Sequence, residues 1–240
     1  MRLVYIYHSG FALEADGFSI LIDYFKDSDP DPAKGYVRSE LLKRAGTLYI
    51  LASHFHPDHF HPEVLKWKEQ KPDIKYIFSK DILKRRRAKA DDAIYLKKGD
   101  AYQDELLTIK AFGSTDVGIS FLIETEGRRI FHAGDLNNWH WKEESTGEEV
   151  REAESAYLAE LDTLVQRTDS MDLVMFPVDP RLGEDYMLGA KQFIDRFRVG
   201  TFVPMHFDDV YDKANAFREY AGERGVRFVS LEYKGEDFMI

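Results

Sequence analysis

Residues 47–60 of the chain read TLYILASHFHPDHF. The first seven residues are almost unbroken in apolar character, which is typical of a strand buried on both faces. The next six positions hold four metal-binding groups, at His54, His56, Asp58 and His59, and one more histidine follows them. The chain has only 8 histidines in 240 residues, and half of them lie within residues 54–61. Imidazole and carboxylate together suit Zn, Mn or Fe, so the stretch predicts a metal-binding loop; an exposed histidine-rich turn is the alternative.

The composition is that of a folded protein and excludes several classes of function. The chain is 44% hydrophobic and carries a formal net charge of −10, which disfavours binding to nucleic acid or to anionic membranes. It has no cysteine, so disulfides, thiolate metal ligands and thiol nucleophiles are excluded. The sequence has no secretory signal and no run near the roughly 18 apolar residues of a membrane span. We therefore expect a cytoplasmic protein, and we interpret the basic run 84–89 as a solvated helix face.

The order of the predicted elements indicates an α/β fold. Short strand patterns broken by glycine open the chain, and strands then alternate with helical patterns. Helices are expected near residues 80–90, over 141–168 and over 212–225. This order of strands followed by helices occurs twice, which predicts two α/β halves that meet through their sheets. The length and the absence of a linker favour one domain, residues 1–240.

Metal-binding side chains follow four of the predicted strands, each at its C-terminal end. Asp23 ends the run SILIDYF, Asp135 ends RRIFHAGD, His206 ends TFVPMHF, and the histidine stretch follows TLYILAS. Functional sites of α/β sheets gather at this edge of the sheet. An aspartate at a strand end is by itself more often a turn former, but four such residues on one edge favour a common site.

These motifs, in this order, resemble those of the metallo-β-lactamase-fold hydrolases over nearly the whole chain. The resemblance rests on YHSGFALE (7–14), LIDYF (21–25), HFHPDH (54–59), FHAGD (131–135) and PMHF (204–207). The opening YHSGFALE looks most like the branch that contains ascorbate-6-phosphate lactonase. The resemblance implies a four-layer αβ/βα sandwich, in which two mixed sheets pack face to face with helices outside.

The resemblance also implies two metal sites and the residues around them. The first metal would be held by His54 and His56, the second by Asp58, His59 and His206, and Asp135 would bridge the two. Asp23 would support the histidine loop from behind the ligands, as partners of metal-bound imidazoles usually do. Asp58 would also orient the attacking water, and His8 would lie close to the site.

One loop departs from the family pattern. The family normally has another histidine between the first motif and the bridging aspartate, but here the loop reads FGSTDVGISF over residues 112–121. Ser114 takes the place of the histidine, and Asp116 lies two residues further on. Asp116 could be the ligand instead, or the first metal could bind weakly or not at all. The loop is otherwise a simple turn.

The stretch GDLNNWHW, residues 134–141, adds further candidates directly after the predicted bridging aspartate. His140 could replace the missing ligand or donate a proton to the leaving group. Trp139 and Asn137 could contact the substrate as part of a pocket wall. The alternative is that the tryptophans pack on the sheet edge while His140 faces solvent.

The loop FPVDPRLGEDY, residues 176–186, contains a candidate for binding an anionic substrate. Arg181 could hold a phosphate or a carboxylate. The alternative is a structural turn in which Asp179 caps and Arg181 is solvated.

These observations predict a metal-dependent hydrolase of a small anionic metabolite. One or two Zn²⁺ ions, or Mn²⁺ or Fe, would activate water for attack on an ester, lactone or phosphodiester bond. Asp58 and Asp135 would orient that water, while His8 or His140 would transfer protons. Two alternatives are a non-catalytic binding module with a degenerate site, and a di-iron redox protein. The redox relatives, however, carry a carboxylate where this chain has His56. The substrate is a small molecule, and whether the chain forms a homo-oligomer stays open.

Overall fold

Two seven-stranded sheets contain the fourteen strands of the computed structural model, which describes all residues from 1 to 240. The strands are β1 (Arg2–Tyr7), β2 (Gly10–Glu14), β3 (Phe18–Ile22), β4 (Thr47–Ala52), β5 (Ile74–Ser79), β6 (Ile94–Leu96), β7 (Ala101–Gln103), β8 (Thr108–Phe112), β9 (Ser120–Thr125), β10 (Arg128–His132), β11 (Ser170–Pro177), β12 (Arg198–Met205), β13 (Arg227–Phe228) and β14 (Asp237–Met239).

Six α-helices and three short 3-10 helices connect these strands. The α-helices are α1 (Tyr36–Ser39), α2 (Lys80–Lys84), α3 (Gly147–Val165), α4 (Leu188–Ile194), α5 (Tyr211–Asn215) and α6 (Arg218–Glu223). The 3-10 helices are Leu41–Lys43, Pro62–Glu69 and Pro180–Asp185. None of the helices has both the length and the apolar character needed to cross a membrane.

The chain divides into two compact units, each built on one sheet. The first unit comprises Met1–Leu96 and Glu232–Ile240, and the second unit comprises Lys97–Leu231. The prediction of a single domain over residues 1–240 stays a prediction.

The sheet of the first unit has the strand order β14-β1-β2-β3-β4-β5-β6. The pairs from β14 to β3 are antiparallel, and those from β3 to β6 are parallel. Every residue of β2 and β3 is buried, which is why these strands read as apolar runs without alternation. One apolar cluster of this unit includes Ile50, Phe60, Trp67 and Phe78.

The sheet of the second unit has the order β13-β12-β11-β10-β9-β8-β7. Its pairs from β13 to β10 are parallel, and those from β10 to β7 are antiparallel. Aromatic rings fill much of its interior; Phe193 stacks on Phe131 with 5.4 Å between ring centroids and lies 4.7 Å from Phe176. Both sheets are mixed and join an antiparallel part to a parallel part, as the twofold order of predicted elements indicates.

The three predicted helices are shorter than their sequence patterns. α2 ends at Lys84 because Arg86 adopts a left-handed backbone with φ 57°, and the basic run therefore continues as a turn. α3 begins at Gly147, since Thr146 and Glu149 form a capping box that fixes the first turn. The pattern over 212–225 forms two helices, α5 and α6, rather than one.

The start of the parallel part of the first sheet depends on a close approach between two glycines. Gly46 has φ +86°, and a Cβ atom on it would lie 1.9 Å from the carbonyl oxygen of Gly17. Strands β3 and β4 pair immediately after these residues, from Phe18 and Thr47 onward. A side chain at residue 46 would therefore separate the two strands where their pairing begins.

We expect Gly46→Ala to lower the free energy of unfolding by about 3 kcal/mol or more, because backbone strain and a backbone clash act together. Gly99→Ala is the matched control, since Gly99 has φ +91° with no atom within 4 Å of its Cβ position. The control should cost about 1–2 kcal/mol from strain alone. Urea unfolding followed by circular dichroism measures both, and equal losses would contradict the clash.

Burial raises the pKa of Tyr157 well above its usual value, and its hydroxyl donates to the carbonyl oxygen of Gly189 at 2.7 Å. An unfolded tyrosine ionises near pH 10, whereas the buried Tyr157 stays neutral. The contribution of Tyr157 to the free energy of unfolding is therefore fully present below pH 10 and is lost as the pH rises above it. Above pH 10, ionisation of Tyr157 in the unfolded chain should lower the free energy of unfolding of the wild type by about 1.4 kcal/mol per pH unit, and Tyr157→Phe should remove that part of the loss. Tyr233→Phe removes a phenol that is 59% exposed and serves as the control. Denaturant midpoints are measured between pH 9 and 11. If they fall equally in Tyr157→Phe and Tyr233→Phe, burial of Tyr157 does not cause the alkaline loss of stability.

Candidate functional site

In the first unit, the fully buried carboxylate of Asp23 joins the ends of β3 and β4. Its Oδ1 accepts a hydrogen bond from the Ser53 amide at 2.7 Å, and its Oδ2 accepts one from the Ser53 hydroxyl at 2.6 Å. Oδ2 also lies 2.7 Å from Nδ1 of His59. Asp23 reaches this position through a left-handed backbone with φ 49°, an unfavourable conformation for a residue other than glycine. These contacts fix the His59 ring with Nδ1 on the carboxylate, so that Nε2 is the nitrogen on the side away from Asp23.

The remaining histidines of the motif lie in a tight loop after β4. Nε2 of His54 is 3.1 Å from Nδ1 of His56, and Nδ1 of His54 is 3.0 Å from the Ser53 hydroxyl. Asp81, in the first turn of α2, accepts a hydrogen bond from the amide of Phe55 at 3.0 Å. The loop is therefore held from two sides, and His54 is fully buried. It presents two imidazoles at a separation at which one metal ion could bind both.

A second cluster of the first unit contains His8, Asp58 and His59, whose ligand atoms lie within 4.8 Å of one another. Oδ2 of Asp58 is 3.4 Å from Nε2 of His8 and 3.9 Å from Nε2 of His59. His8 lies in the turn between β1 and β2, with φ 57°. Although burial raises the pKa of Asp58, the hydrogen bond with His8 and the charges of His59 and His8 hold it well below its usual range. Asp58 is thus an anion at every physiological pH.

In the second unit, the site residues follow the parallel strands β10, β11 and β12. Nε2 of His206 lies 3.3 Å from Oδ1 of Asp135, and Nδ1 of His206 lies 3.0 Å from Oδ2 of Asp179. His206 adopts a left-handed backbone with φ 65°. Burial raises the pKa of Asp179, but hydrogen bonds with His206 and Arg181 outweigh it and hold the value at about 2. An ionised carboxylate therefore orients His206, as Asp23 orients His59.

Arg181 is engaged by the same carboxylate. Its Nε and Nη2 atoms donate to Asp179 at 3.0 and 2.6 Å, and Asp179 also accepts from the Arg181 amide at the start of a 3-10 helix. The capping role of Asp179 that the sequence offered as the alternative is therefore present. The Arg181 side chain is 55% exposed and lies 3.1 Å from Nδ1 of His206. Binding of an anionic substrate by Arg181 stays a prediction.

The loop that departs from the family pattern lies against the Asp135 loop. Thr115 donates from Oγ1 to the carbonyl oxygen of Asn137 at 2.6 Å and lies 3.3 Å from that of Asp135. This contact brings a carboxylate oxygen of Asp116 within 4.8 Å of one from Asp135. The Ser114 hydroxyl instead accepts a 3.4 Å hydrogen bond from the Asp116 amide and stabilises the turn. Of the two loop candidates, Asp116 is therefore the one that lies beside Asp135.

His140 does not have the geometry expected of a replacement ligand or a proton donor. The ring is buried, its Nδ1 accepts from the amide of Lys142 at 3.2 Å, and its Nε2 lies 3.3 Å from the carbonyl oxygen of Asp185. Both nitrogens thus contact backbone groups of neighbouring turns. Use of His140 as a ligand or proton donor stays a prediction, and it requires the ring to leave these contacts, because the turn after Asn138 directs it into the protein.

The other two candidates of this stretch remain close to predicted ligands. Trp139 donates from its indole nitrogen to the carbonyl oxygen of Asp135 at 2.8 Å, and its ring lies 5.4 Å from that of His206. Trp141 stacks on Trp139 at 6.3 Å. Asn137 is fully buried, and its Oδ1 accepts from the amide of Asn138 at 2.9 Å. Contacts of Trp139 or Asn137 with a substrate stay predictions.

Three supporting residues escaped the sequence analysis. Ser53 and Thr115 are small hydroxyl residues whose long-range partners no local pattern indicates. Asp179 did carry a signal, since it follows β11 and is a carboxylate at the end of a strand, like Asp23 and Asp135. Because Asp179 also caps a 3-10 helix, the sequence did not indicate that it orients His206.

Comparison with known proteins places this geometry in a family. The sequence model of the beta-lactamase superfamily domain matches residues 2–206. A protein described as a UPF0173 metal-dependent hydrolase, from Korarchaeum cryptofilum (strain OPF8), is 24% identical over 251 residues, covering 99% of this chain and 99% of the relative.

Solved structures show the same fold. Igni18, described as a novel metallo hydrolase from Ignicoccus hospitalis, matches with a TM-score of 0.70 and 19% identity, over 100% of this chain and 98% of that one. CmlA, a diiron beta-hydroxylase from Streptomyces venezuelae, matches with a TM-score of 0.68 and 13% identity, over 100% of this chain and 54% of that one. The predicted metallo-β-lactamase fold class is thereby confirmed.

Asp179→Asn should weaken metal binding about 10–100-fold, because His206 is a predicted ligand and would lose the anion that orients it. Arg181→Gln is the matched control, since it removes the guanidinium but leaves the carboxylate on His206, and its effect should be several-fold smaller. Competition against a fluorescent zinc chelator measures both affinities. An Asp179→Asn variant with unchanged zinc affinity would contradict the orienting role.

Proposed function

This chain belongs to the beta-lactamase superfamily as one of its metal-dependent hydrolases, and we propose that it cleaves an ester, lactone or phosphodiester bond in a small anionic metabolite. One observation carries the proposal. His59 and His206 are each hydrogen-bonded through Nδ1 to a buried carboxylate, Asp23 or Asp179. This is the outer support that histidines bound to metals almost always have.

We propose zinc, one or two ions per chain, as the metal. By the resemblance to the family, His54 and His56 would hold one ion, Asp58, His59 and His206 would hold the other, and Asp135 would contribute to both. Within the units, the ligand atoms fit this use: imidazole lies 3.1 Å from imidazole, and imidazole lies 3.3 and 3.9 Å from carboxylate. We add Asp116 to the first set, because its carboxylate is near that of Asp135. Nitrogen and oxygen donors without sulfur suit a catalytic Zn²⁺ site and also Mn²⁺ or Fe.

The chain's own residues would position water and move protons. A bound divalent ion supplies hydroxide at neutral pH, because it lowers the pKa of its water to about 7. Asp58, which is ionised, would accept a hydrogen bond from the attacking water and so orient it. The water loses one proton when it becomes hydroxide, and His8, 3.4 Å from Asp58, would accept that proton and donate it to the leaving group. Trp139, beside His206, would cover one side of the bound substrate.

His59→Ala and Asp135→Asn should each abolish turnover and lower the zinc content while the fold is retained. Asp169→Asn, which alters an exposed carboxylate paired with Arg198, is the matched control and should keep both. Zinc, manganese and iron are counted by elemental analysis. Turnover is measured with bis(p-nitrophenyl) phosphate, p-nitrophenyl acetate and γ-butyrolactone, one probe for each bond class.

Three results would contradict the proposal. Wild-type rates in either site variant with metal supplied would show that the ligand assignment is wrong. Less than one metal per chain in fresh protein, with no turnover of any probe, would favour a non-catalytic binding module. Bound iron with oxygen consumption would favour the redox alternative.

A further inference from the structure

Two lysines that are far apart in the sequence meet at one aromatic ring in the first unit. The ammonium nitrogen of Lys26 lies 3.9 Å from the ring centroid of Tyr7, and that of Lys234 lies 4.1 Å from the same centroid. The two cations are therefore no more than 8.0 Å apart. The ring attracts each cation through its quadrupole, while the two like charges repel one another. A negatively charged group that contacts both ammonium groups would attract each of them and so offset that repulsion.

The backbone fixes both lysines in this arrangement. Lys234 precedes β14, and the flanking Gly235 and Glu236 exchange hydrogen bonds with the backbone of Tyr5 at 2.7 and 2.9 Å. Lys26 follows β3, and its ammonium group also lies 5.0 Å from the ring of Phe25. The Phe25 ring in turn lies 5.9 Å from that of Tyr7. The convergence is thus a product of the sheet and not of one flexible loop.

Both lysines line a surface cavity of about 430 Å³, together with Tyr24, Arg38 and Glu63. The cavity has room for a group of metabolite size. The carboxylate of Glu63 is already engaged by other groups, because it accepts hydrogen bonds from Tyr24 and Arg38, both at 2.7 Å.

A second acid of the cavity wall is also engaged. Asp27 accepts hydrogen bonds from the backbone amides of Ser28, Val37 and Arg38 at 2.8, 2.9 and 3.0 Å. These amides hold the carboxylate within its own loop. Lys26 is paired with no carboxylate, so its charge is left for a partner from solution.

The aromatic ring that both lysines contact also lies near the proposed catalytic cluster. Tyr7, on which both lysines lie, precedes His8, and the two rings are 6.2 Å apart. His8 contacts Asp58 at 3.4 Å. The ammonium nitrogens of Lys26 and Lys234 therefore lie no more than 10.1 and 10.3 Å from the centre of the His8 ring, a span that a molecule of metabolite size can cover.

We propose that Lys26 and Lys234 bind the phosphate or carboxylate group of the substrate, away from the bond that is cleaved. The assignment rests on the proposed hydrolase function of the same unit. An ammonium–oxyanion hydrogen bond is about 2.8 Å long, so an anion with several oxygens can contact both lysines at their separation. Lys26 and Lys234 would thus act in substrate binding and not in the chemical step.

Titration calorimetry of the full-length protein with inorganic phosphate, and separately with acetate, tests the proposal at low ionic strength. Lys26→Gln and Lys234→Gln should each weaken anion binding about five- to tenfold, and the double variant should lose it. Lys34→Gln is the matched control, because Lys34 is an exposed lysine of the same loop region that pairs with Asp31 at 3.6 Å. Phosphate and acetate distinguish the two anions, and whichever binds more tightly names the substrate group.

The same titration in the His59→Ala background separates this proposal from the proposed hydrolase function. Lysine-dependent anion binding that persists there is expected, since neither lysine is among the proposed metal ligands. If the wild type binds neither anion, or if the double variant binds as tightly as the wild type, the proposal is wrong. If binding depends on the lysines but no probe substrate is hydrolysed, only the hydrolase function is contradicted. Urea midpoints check that each variant is folded.

Discussion

The carboxylate of Asp23 is the contact on which the arrangement of the first unit depends. A buried charge is costly unless hydrogen bonds replace its water, and here the amide and hydroxyl of Ser53 and the ring of His59 do so. Since Ser53 follows β4 and Asp23 follows β3, the same carboxylate also holds the ends of two parallel strands together. Loss of this anion would release the strand ends and the histidine loop at once, so support of the fold and of the site cannot be separated there.

In the second unit, a different buried carboxylate orients a histidine in the same way. Asp179 follows β11 and holds His206, which follows the neighbouring strand β12. In both units the carboxylate takes Nδ1 of the imidazole, which fixes the tautomer and selects Nε2 as the ligand nitrogen. Both histidine–carboxylate pairs involve a residue with a left-handed backbone, Asp23 in one unit and His206 in the other. Such strain persists only where the surrounding contacts outweigh it, as the hydrogen bonds do here.

The sequence predicted the fold class and the strand ends well, because both depend on local patterns. Buried runs such as TLYILAS specify strands, and strands β3, β4, β10 and β12 do end within three residues of the predicted ones. Helix lengths were overestimated, since left-handed residues such as Arg86 end a helix without any hydrophobic signal. The orientation of His140 and the second role of Asp179 depend on tertiary contacts, which spacing does not encode. The meeting of Lys26 with Lys234 was invisible for the same reason, because it arises from pairing between the first and last strands.

The pairing of β14 with β1 also determines what the first sheet presents at its border. β1 is an apolar strand whose residues after Arg2 are all buried. Without β14, its row of unpaired amide and carbonyl groups would be an open template for strands of other chains, the usual starting point of aggregation. β14, a strand of only three residues, covers β1 and forms the edge of the sheet. Its Asp237 accepts a hydrogen bond from Arg2 at 2.9 Å. A short, charged edge of this kind resists further strand pairing, so the segment that carries Lys234 also protects this edge of the sheet.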